Sequence, residues 1–255
     1  MSKAESDQSN AALDGEIALT GGRLTKDVVR VDGTVRRPAR DSSEFVSRLL
    51  RHFEAQGVPW APRYLGRDER GRDTFTYMVG WVPERWRYFT DDQIKSAARL
   101  LRSFHEATRG STLCGDRSVV CHHDFGPNNA VFEDERPFAM IDFDMAAPGE
   151  VLEDVGYTAW AWCVPSKITR PPIEVQAHQV RVLADEYGLD ALARGALVEA
   201  ILERQERNAR FWCAALNNPT SIATPTKKMS EFIEWSCREA AYVATNRQQL
   251  EAALL

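Results

Sequence analysis

The chain has 255 residues, of which 44% are hydrophobic and 27% charged, with a formal net charge of −5. That length allows one domain or two lobes around a sizeable core, and the acidic balance excludes a general nucleic-acid binder, which needs a basic excess against phosphates. No apolar run reaches membrane-spanning length, the polar start has no signal-peptide pattern, and five scattered cysteines without a Cys-x-x-Cys spacing read as reduced thiols of a cytoplasmic protein.

Residues 1–13 carry too little apolar surface to fold and read as a disordered tail. Apolar runs at 17–20, 28–31 and 34–38, separated by Gly21-Gly22 and by the hairpin signal Asp32-Gly33, predict an antiparallel start. Ser42-Ser43 is expected to cap a helix through Gln56, with Phe45, Val46, Leu49, Leu50 and Phe53 on one face and Gly57 as its stop. Two further strands, 61–66 and 73–79, flank a turn at 68–71, and Gly80 ends the second. Thr90-Asp91-Asp92-Gln93 is a capping box that opens a helix burying Ile94, Ala97, Ala98, Leu101 and Phe104, and His105 reads as a core or capping histidine.

The centre of the chain is Val119-Val120-Cys121-His122-His123-Asp124-Phe125-Gly126-Pro127-Asn128-Asn129, echoed by Met140-Ile141-Asp142-Phe143-Asp144. Between them run an apolar strand, a charged turn and a second apolar strand. The turn is centred between residues 135 and 136, so without a bulge Asn129 and Asp142 face each other at the open end. Two oxygen-bearing side chains brought together this way suit a hard cation such as Mg²⁺. Asp124, at the mouth of the hairpin, is placed to accept a proton from an attacking hydroxyl. Zinc at Cys121–Asp124 is disfavoured, because neighbours on an extended segment point to opposite sides.

His122, Asp124 and Asn129 in the order His-x-Asp-x-x-x-x-Asn, followed by Ile141-Asp142-Phe143-Asp144, resemble the aminoglycoside phosphotransferase/choline kinase-like family. The resemblance covers roughly residues 15–165. It implies an α+β, two-lobed protein-kinase-like fold, with an antiparallel nucleotide-binding lobe at 14–80 and a mainly helical catalytic and substrate lobe at 81–255. It also implies ATP and Mg²⁺ as cofactors and a small-molecule hydroxyl (aminoglycoside-like antibiotic, amino alcohol or sugar) as acceptor. Neither the choice between ATP and GTP nor the oligomeric state is specified.

On this resemblance Asp124 is the catalytic base, and Asn129 and Asp142 hold Mg²⁺. His122 supports the loop, Asp154 braces it through backbone hydrogen bonds, and His123 has no assigned role. Asp144 touches metal or substrate, or stabilises the local turn. The strand-three cation is an arginine, Arg36 or Arg37, where the family commonly has lysine. Arg37 is preferred, since it shares a face with Val35, which would pack on adenine. Glu44 either pairs with that cation or complements the helix dipole. Gly21-Gly22 is a plain turn or a backbone approach to phosphates, and Thr76 and Met78 would meet the adenine edge.

Beyond Pro148-Gly149 a helix begins near residue 153, and 173–187, 191–217 and 227–250 read as long amphipathic helices. Trp160, Trp162, Trp212 and Trp235 read as core or cleft wall. Glu199, Glu203 and Glu206 form either an acidic acceptor pocket or a solvated face bridged to Arg207 and Arg210. An alternative to catalysis is a binding or sequestering protein on the same fold, acting in toxin or antibiotic immunity. The arginine replacement favours it, and the intact Asp124, Asn129 and Asp142 oppose it.

Overall fold

Short β-branched runs at the start of the chain assemble into one antiparallel sheet. In the computed structural model, which describes residues 15–19, 27–83, 87–164, 170–218 and 224–255, its strands are β1 (Glu16–Ala18), β2 (Val29–Val31), β3 (Thr34–Arg37), β4 (Tyr64–Arg67) and β5 (Asp73–Thr76). They lie in the order β1-β2-β3-β5-β4. Gly21-Gly22 falls outside the described residues. Asp32 turns the β2–β3 hairpin with a φ of 51°. Strand β5 stops at Thr76 rather than continuing to 79, and the chain then crosses to the second lobe.

Helix α1 (Ser43–Ala55) packs against this sheet and the lobe below it through the expected face, Val46, Leu49, Leu50 and Phe53. Each of these large side chains contributes roughly 1.5–3 kcal/mol on full burial. The Phe53 ring lies 5.6 Å from Phe104 and 6.1 Å from Phe143, so α1 reaches the Asp142–Asp144 turn directly. The helix start differs from expectation. Ser42 makes no side-chain cap; Ser43 Oγ instead accepts from the Arg40 amide at 2.8 Å and donates to buried Asp73, tying α1 to β5. Gly57 takes a φ of 69° just past the helix, the left-handed turn that a side chain resists.

The second lobe contains α2 (Asp91–Thr108), α3 (Val151–Cys163), α4 (Ile173–Tyr187), α5 (Ala191–Asn217), α6 (Thr226–Thr245) and α7 (Arg247–Leu254). Both bonds of the Thr90–Gln93 capping box are formed. Helix α3 is buried at every position from Asp154 to Cys163 and forms the axis of the lobe. The helix expected over 227–250 is two: the chain breaks at Asn246, whose φ of −103° and ψ of 15° leave the helical range. Two small ribbons, β6 (Val119–Cys121) with β9 (Ala147–Gly149) and β7 (Ala130–Glu133) with β8 (Arg136–Met140), carry the central motifs. Among the described residues no helix is long and apolar enough to cross a membrane.

The crossing between lobes is stitched to the β7–β8 ribbon by paired backbone bonds between Trp81 and Phe132, at 3.1 and 2.8 Å. Gly80, with a φ of 153°, makes this approach possible: a Cβ there would lie 2.5 Å from the Phe132 carbonyl oxygen and 2.6 Å from Val131 Cγ1. Gly80→Ala is therefore expected to destabilise the fold by about 3 kcal/mol, combining a disallowed backbone with overpacking. A urea melt indistinguishable from wild type would show that the crossing tolerates a side chain.

Candidate active site

The loop from His122 to Asn129 leaves β6 and returns into β7, and a stripe of α3 holds it. Asp154, Tyr157, Thr158 and Trp162 recur at helical spacing and point at the loop together. Asp154, 0% exposed, accepts from the amides of His122 at 2.5 Å and His123 at 2.6 Å, and from His105 Nε2 at 3.0 Å. The Phe125 carbonyl accepts from Thr158 Oγ1 at 3.4 Å and Trp162 Nε1 at 3.1 Å. Burial alone would push the Asp154 carboxyl up, but the His105 hydrogen bond and neighbouring imidazoles outweigh it and hold it at about 2.

Asp124 is oriented from both sides. Tyr157 donates a short hydrogen bond to Oδ1, and Asn129 Nδ2 donates to Oδ2 at 2.9 Å and to the Asp124 carbonyl at 2.7 Å. His122, fully buried, accepts from the Asp124 amide at its Nδ1 (3.3 Å), which leaves Nε2 to donate to the Ile141 carbonyl at 3.1 Å. It therefore links the loop to the Ile141-Asp142 turn. His123, which has no role in the motif reading, is a second brace: with a φ of 60°, its ring reaches the Met145 carbonyl (3.1 Å) and Glu153 (3.4 Å), and its carbonyl accepts from Arg204 at 2.7 Å.

The predicted hairpin register is corrected by one residue. Pairing runs Glu133↔Arg136 and Phe132↔Pro137, then shifts across a bulge to Val131↔Ala139 and Ala130↔Met140. Asn129 consequently pairs through its carbonyl with the Ile141 amide at 3.0 Å, not opposite Asp142. Asp142 then turns its carboxylate by adopting a left-handed backbone, φ 63° and ψ 66°. Desolvation of its inner face, then the like charges of Asp144 and Asp124, push its pKa up against the opposing pull of Arg37. Its side chain remains 41% exposed, so its outer face is open to solvent.

Arg37 is 7% exposed on β3 and pairs with Asp144, with Asp142 Oδ1 3.7 Å away. Val35 shares that face, as its pairing with Phe75 and the pairing of Arg37 with Asp73 require. Glu44 is exposed in the first turn of α1, and among the described residues Arg37 pairs with Asp142 and Asp144 instead. The Thr76 amide donates to the Arg63 carbonyl at 3.0 Å, so it is not available to an adenine edge. Met78 lies in the crossing with no backbone hydrogen bond among the described residues, which leaves its N–H and C=O for a ligand.

Two other clusters resolve into structure. His105, Cys121 and Asp154 bring ligand atoms within 4.8 Å of one another. Burial and the nearby Asp154 charge push the Cys121 thiol up, so it stays protonated and donates to the Glu150 carbonyl, while both Asp154 oxygens are already hydrogen-bonded. The trio is a brace rather than an ion site. On α5, Glu203 pairs with Arg207 at 2.9 Å and Arg210 at 3.3 Å, and Glu199 with Arg247, which makes this an ion-paired surface. Trp160, Trp162 and Trp212 are buried, and Trp235 stacks on Trp160 at 4.9 Å.

A small antiparallel lobe, a helical lobe and an acidic loop at their junction define a protein-kinase-like fold. The phosphotransferase enzyme family (APH) matches residues 112–198, the stretch that carries Asp124, Asn129, Asp142 and Asp154. The trifolitoxin immunity protein of Rhizobium leguminosarum bv. trifolii is 30% identical, over 95% of this chain and 100% of that protein. Homoserine kinase of Xanthobacter autotrophicus (strain ATCC BAA-1158 / Py2) is 28% identical over 77% of this chain and 61% of its own length. Spectinomycin phosphotransferase APH(9)-Ia, solved with ADP and spectinomycin, superposes with a TM-score of 0.62 at 12% identity, covering 90% of this chain and 93% of that one. The chain belongs to the phosphotransferase enzyme family.

Proposed function

We propose that the chain transfers the terminal phosphoryl group of ATP to a hydroxyl of a small molecule. The observation that carries this reading is Asp124, fixed by Tyr157 and Asn129 on a loop that Asp154 anchors, beside the open carboxylate of Asp142. Asp124 accepts the acceptor's hydroxyl proton as that oxygen bonds to the γ-phosphorus and the bond to the bridging oxygen breaks, releasing ADP. Positioning and charge neutralisation supply most of the rate.

Asn129 and Asp142 offer only amide and carboxylate oxygens, a donor set that fits Mg²⁺, and these two residues would hold it. Magnesium, when bound, neutralises phosphate charge. Arg37 steadies phosphate oxygens, and Met78 presents backbone groups to the base from the crossing between a nucleotide-binding lobe at 14–80 and a catalytic lobe at 81–255. The reduced thiols and the nucleotide donor fit a cytoplasmic protein; the described cysteines are all free.

A second reading has its own support. A relative matched over 95% of this chain is an immunity protein, and Arg37 is already engaged by Asp144. On that reading the chain protects by binding a toxic compound or antibiotic rather than by modifying it. Calorimetric titration with ATP, with and without Mg²⁺, on wild type and Asp142→Asn separates the two. Magnesium-dependent binding that the substitution weakens at least tenfold is expected. A folded wild type that binds no ATP at millimolar concentration overturns the phosphotransfer reading in favour of the binder.

A further inference from the structure

Arg37 is the feature of the cleft that the phosphotransfer chemistry leaves least explained. Its guanidinium packs over the Phe75 ring at 4.8 Å, so one side is closed by an aromatic face. The other side meets Asp144, whose side chain is 8% exposed, and reaches toward Asp142 at 3.7 Å. Arg40 approaches the second oxygen of Asp144, also at 3.7 Å. Glu44 is turned to solvent on α1. The strand cation is thus anchored to the turn that carries the proposed cation ligand, not to the neighbouring helix.

A guanidinium keeps its charge at any working pH and cannot release a carboxylate by losing a proton. Asp142 and Asp144, two residues apart on one tight turn, repel each other unless a cation lies between them. Arg37 provides that cation in the nucleotide-free chain, and a divalent ion arriving at Asp142 meets a carboxylate pair that is already compensated. Nucleotide phosphates change the balance, since they offer the guanidinium oxygens of equal charge and good geometry.

We propose that Arg37 is the resident counter-cation of the Asp142–Asp144 pair: it competes with divalent ions for these carboxylates and is drawn off them by nucleotide phosphates. Metal and nucleotide binding are then coupled through one side chain. The proposal rests on Asp142 as a cation ligand, as in the phosphotransfer reading, but its main test needs neither nucleotide nor turnover.

Mn²⁺ titration followed by electron paramagnetic resonance, on nucleotide-free full-length chain, reads the competition directly. Wild type is expected to bind weakly and Arg37→Gln at least tenfold tighter, with the gain removed when Asp142→Asn is added. Arg37→Lys, a compact charge that compensates one carboxylate rather than bridging two, is expected to bind about threefold tighter than wild type, and it serves if the glutamine variant does not fold. Wild-type Mn²⁺ affinity in the folded variants overturns the proposal, as does a gain that survives Asp142→Asn. In a second arm, ATP titrated in EDTA is expected to bind wild type at least tenfold more tightly than Arg37→Gln. If no form binds ATP, the phosphotransfer reading fails while the Mn²⁺ result still decides the role of Arg37.

Discussion

Asp154→Ala is expected to cost about 4 kcal/mol of stability, because truncation leaves buried donors without partners. Those donors are the amides of His122 and His123 and the ring of His105. For a chain of this length that corresponds to a fall in Tm of roughly 10 °C, measurable by calorimetry at neutral pH. The pH dependence has a definite sign. The folded carboxyl is held at about 2 against an ordinary 3.8, so its contribution is complete above the unfolded value and is lost as pH falls from about 4 toward 2. The linked loss is on the order of 2 kcal/mol. Asp154→Asn, which carries no titrating group, is expected to show a flatter stability profile in that window. An equally steep acid limb in the variant would assign the acid sensitivity to other carboxylates.

Asp124→Ala is expected to reduce phosphoryl transfer by about 10³-fold, in the middle of the range for loss of a general base, while ATP affinity changes less than threefold. The separation follows from the proposed roles: Asp124, held by Tyr157 and Asn129, serves the acceptor, whereas Arg37 and Asp142, which lie together on the other motif, serve the phosphates. Because Asn129 leans on Asp124, Asp124→Asn is the better probe: it preserves shape, keeps an acceptor for Asn129 and can donate to the Tyr157 hydroxyl, and it should lose nearly as much activity. Single-turnover transfer by the variant at the wild-type rate would exclude Asp124 as the base.

The fold was legible where the sequence repeats a physical pattern. The capping box at Thr90, the apolar face of α1 and the bounds of α4 and α5 all rest on local chemistry that tertiary structure had no reason to override. The motif that carries Asp124, Asn129 and Asp142 stood out by residue type and spacing, and the family match falls on the same stretch. The hairpin register was not. The Glu133↔Arg136 pair centres the turn one residue earlier than expected, and the extra residue Phe138, a bulge with no fixed composition, then brings Ile141 rather than Asp142 opposite Asn129. Partners that arrive from distant helices were equally hidden. Tyr157, Arg204 and His105 meet the loop across separations that spacing alone does not encode, although the i, i+3, i+4 and i+8 polar and aromatic positions on α3 were visible as a stripe with a common target. Glu44 illustrates the converse: an acid in the expected helix, turned to solvent because Asp144 already holds the arginine.

The Asp154 carboxylate also bears on the order in which the molecule is made. It gathers His105 from α2 and the His122–His123 loop, and His105 in turn bonds Tyr187 of α4, 82 residues away, at 2.6 Å. Contacts of such separation are paid for in loop-closure entropy before they reward the chain, so they form late. The loop that bears Asp124 therefore takes its final shape only after three helices have docked. Partly folded molecules of this chain would hold helical structure yet no competent acidic cleft, so that activity during refolding should appear after far-ultraviolet ellipticity, not with it.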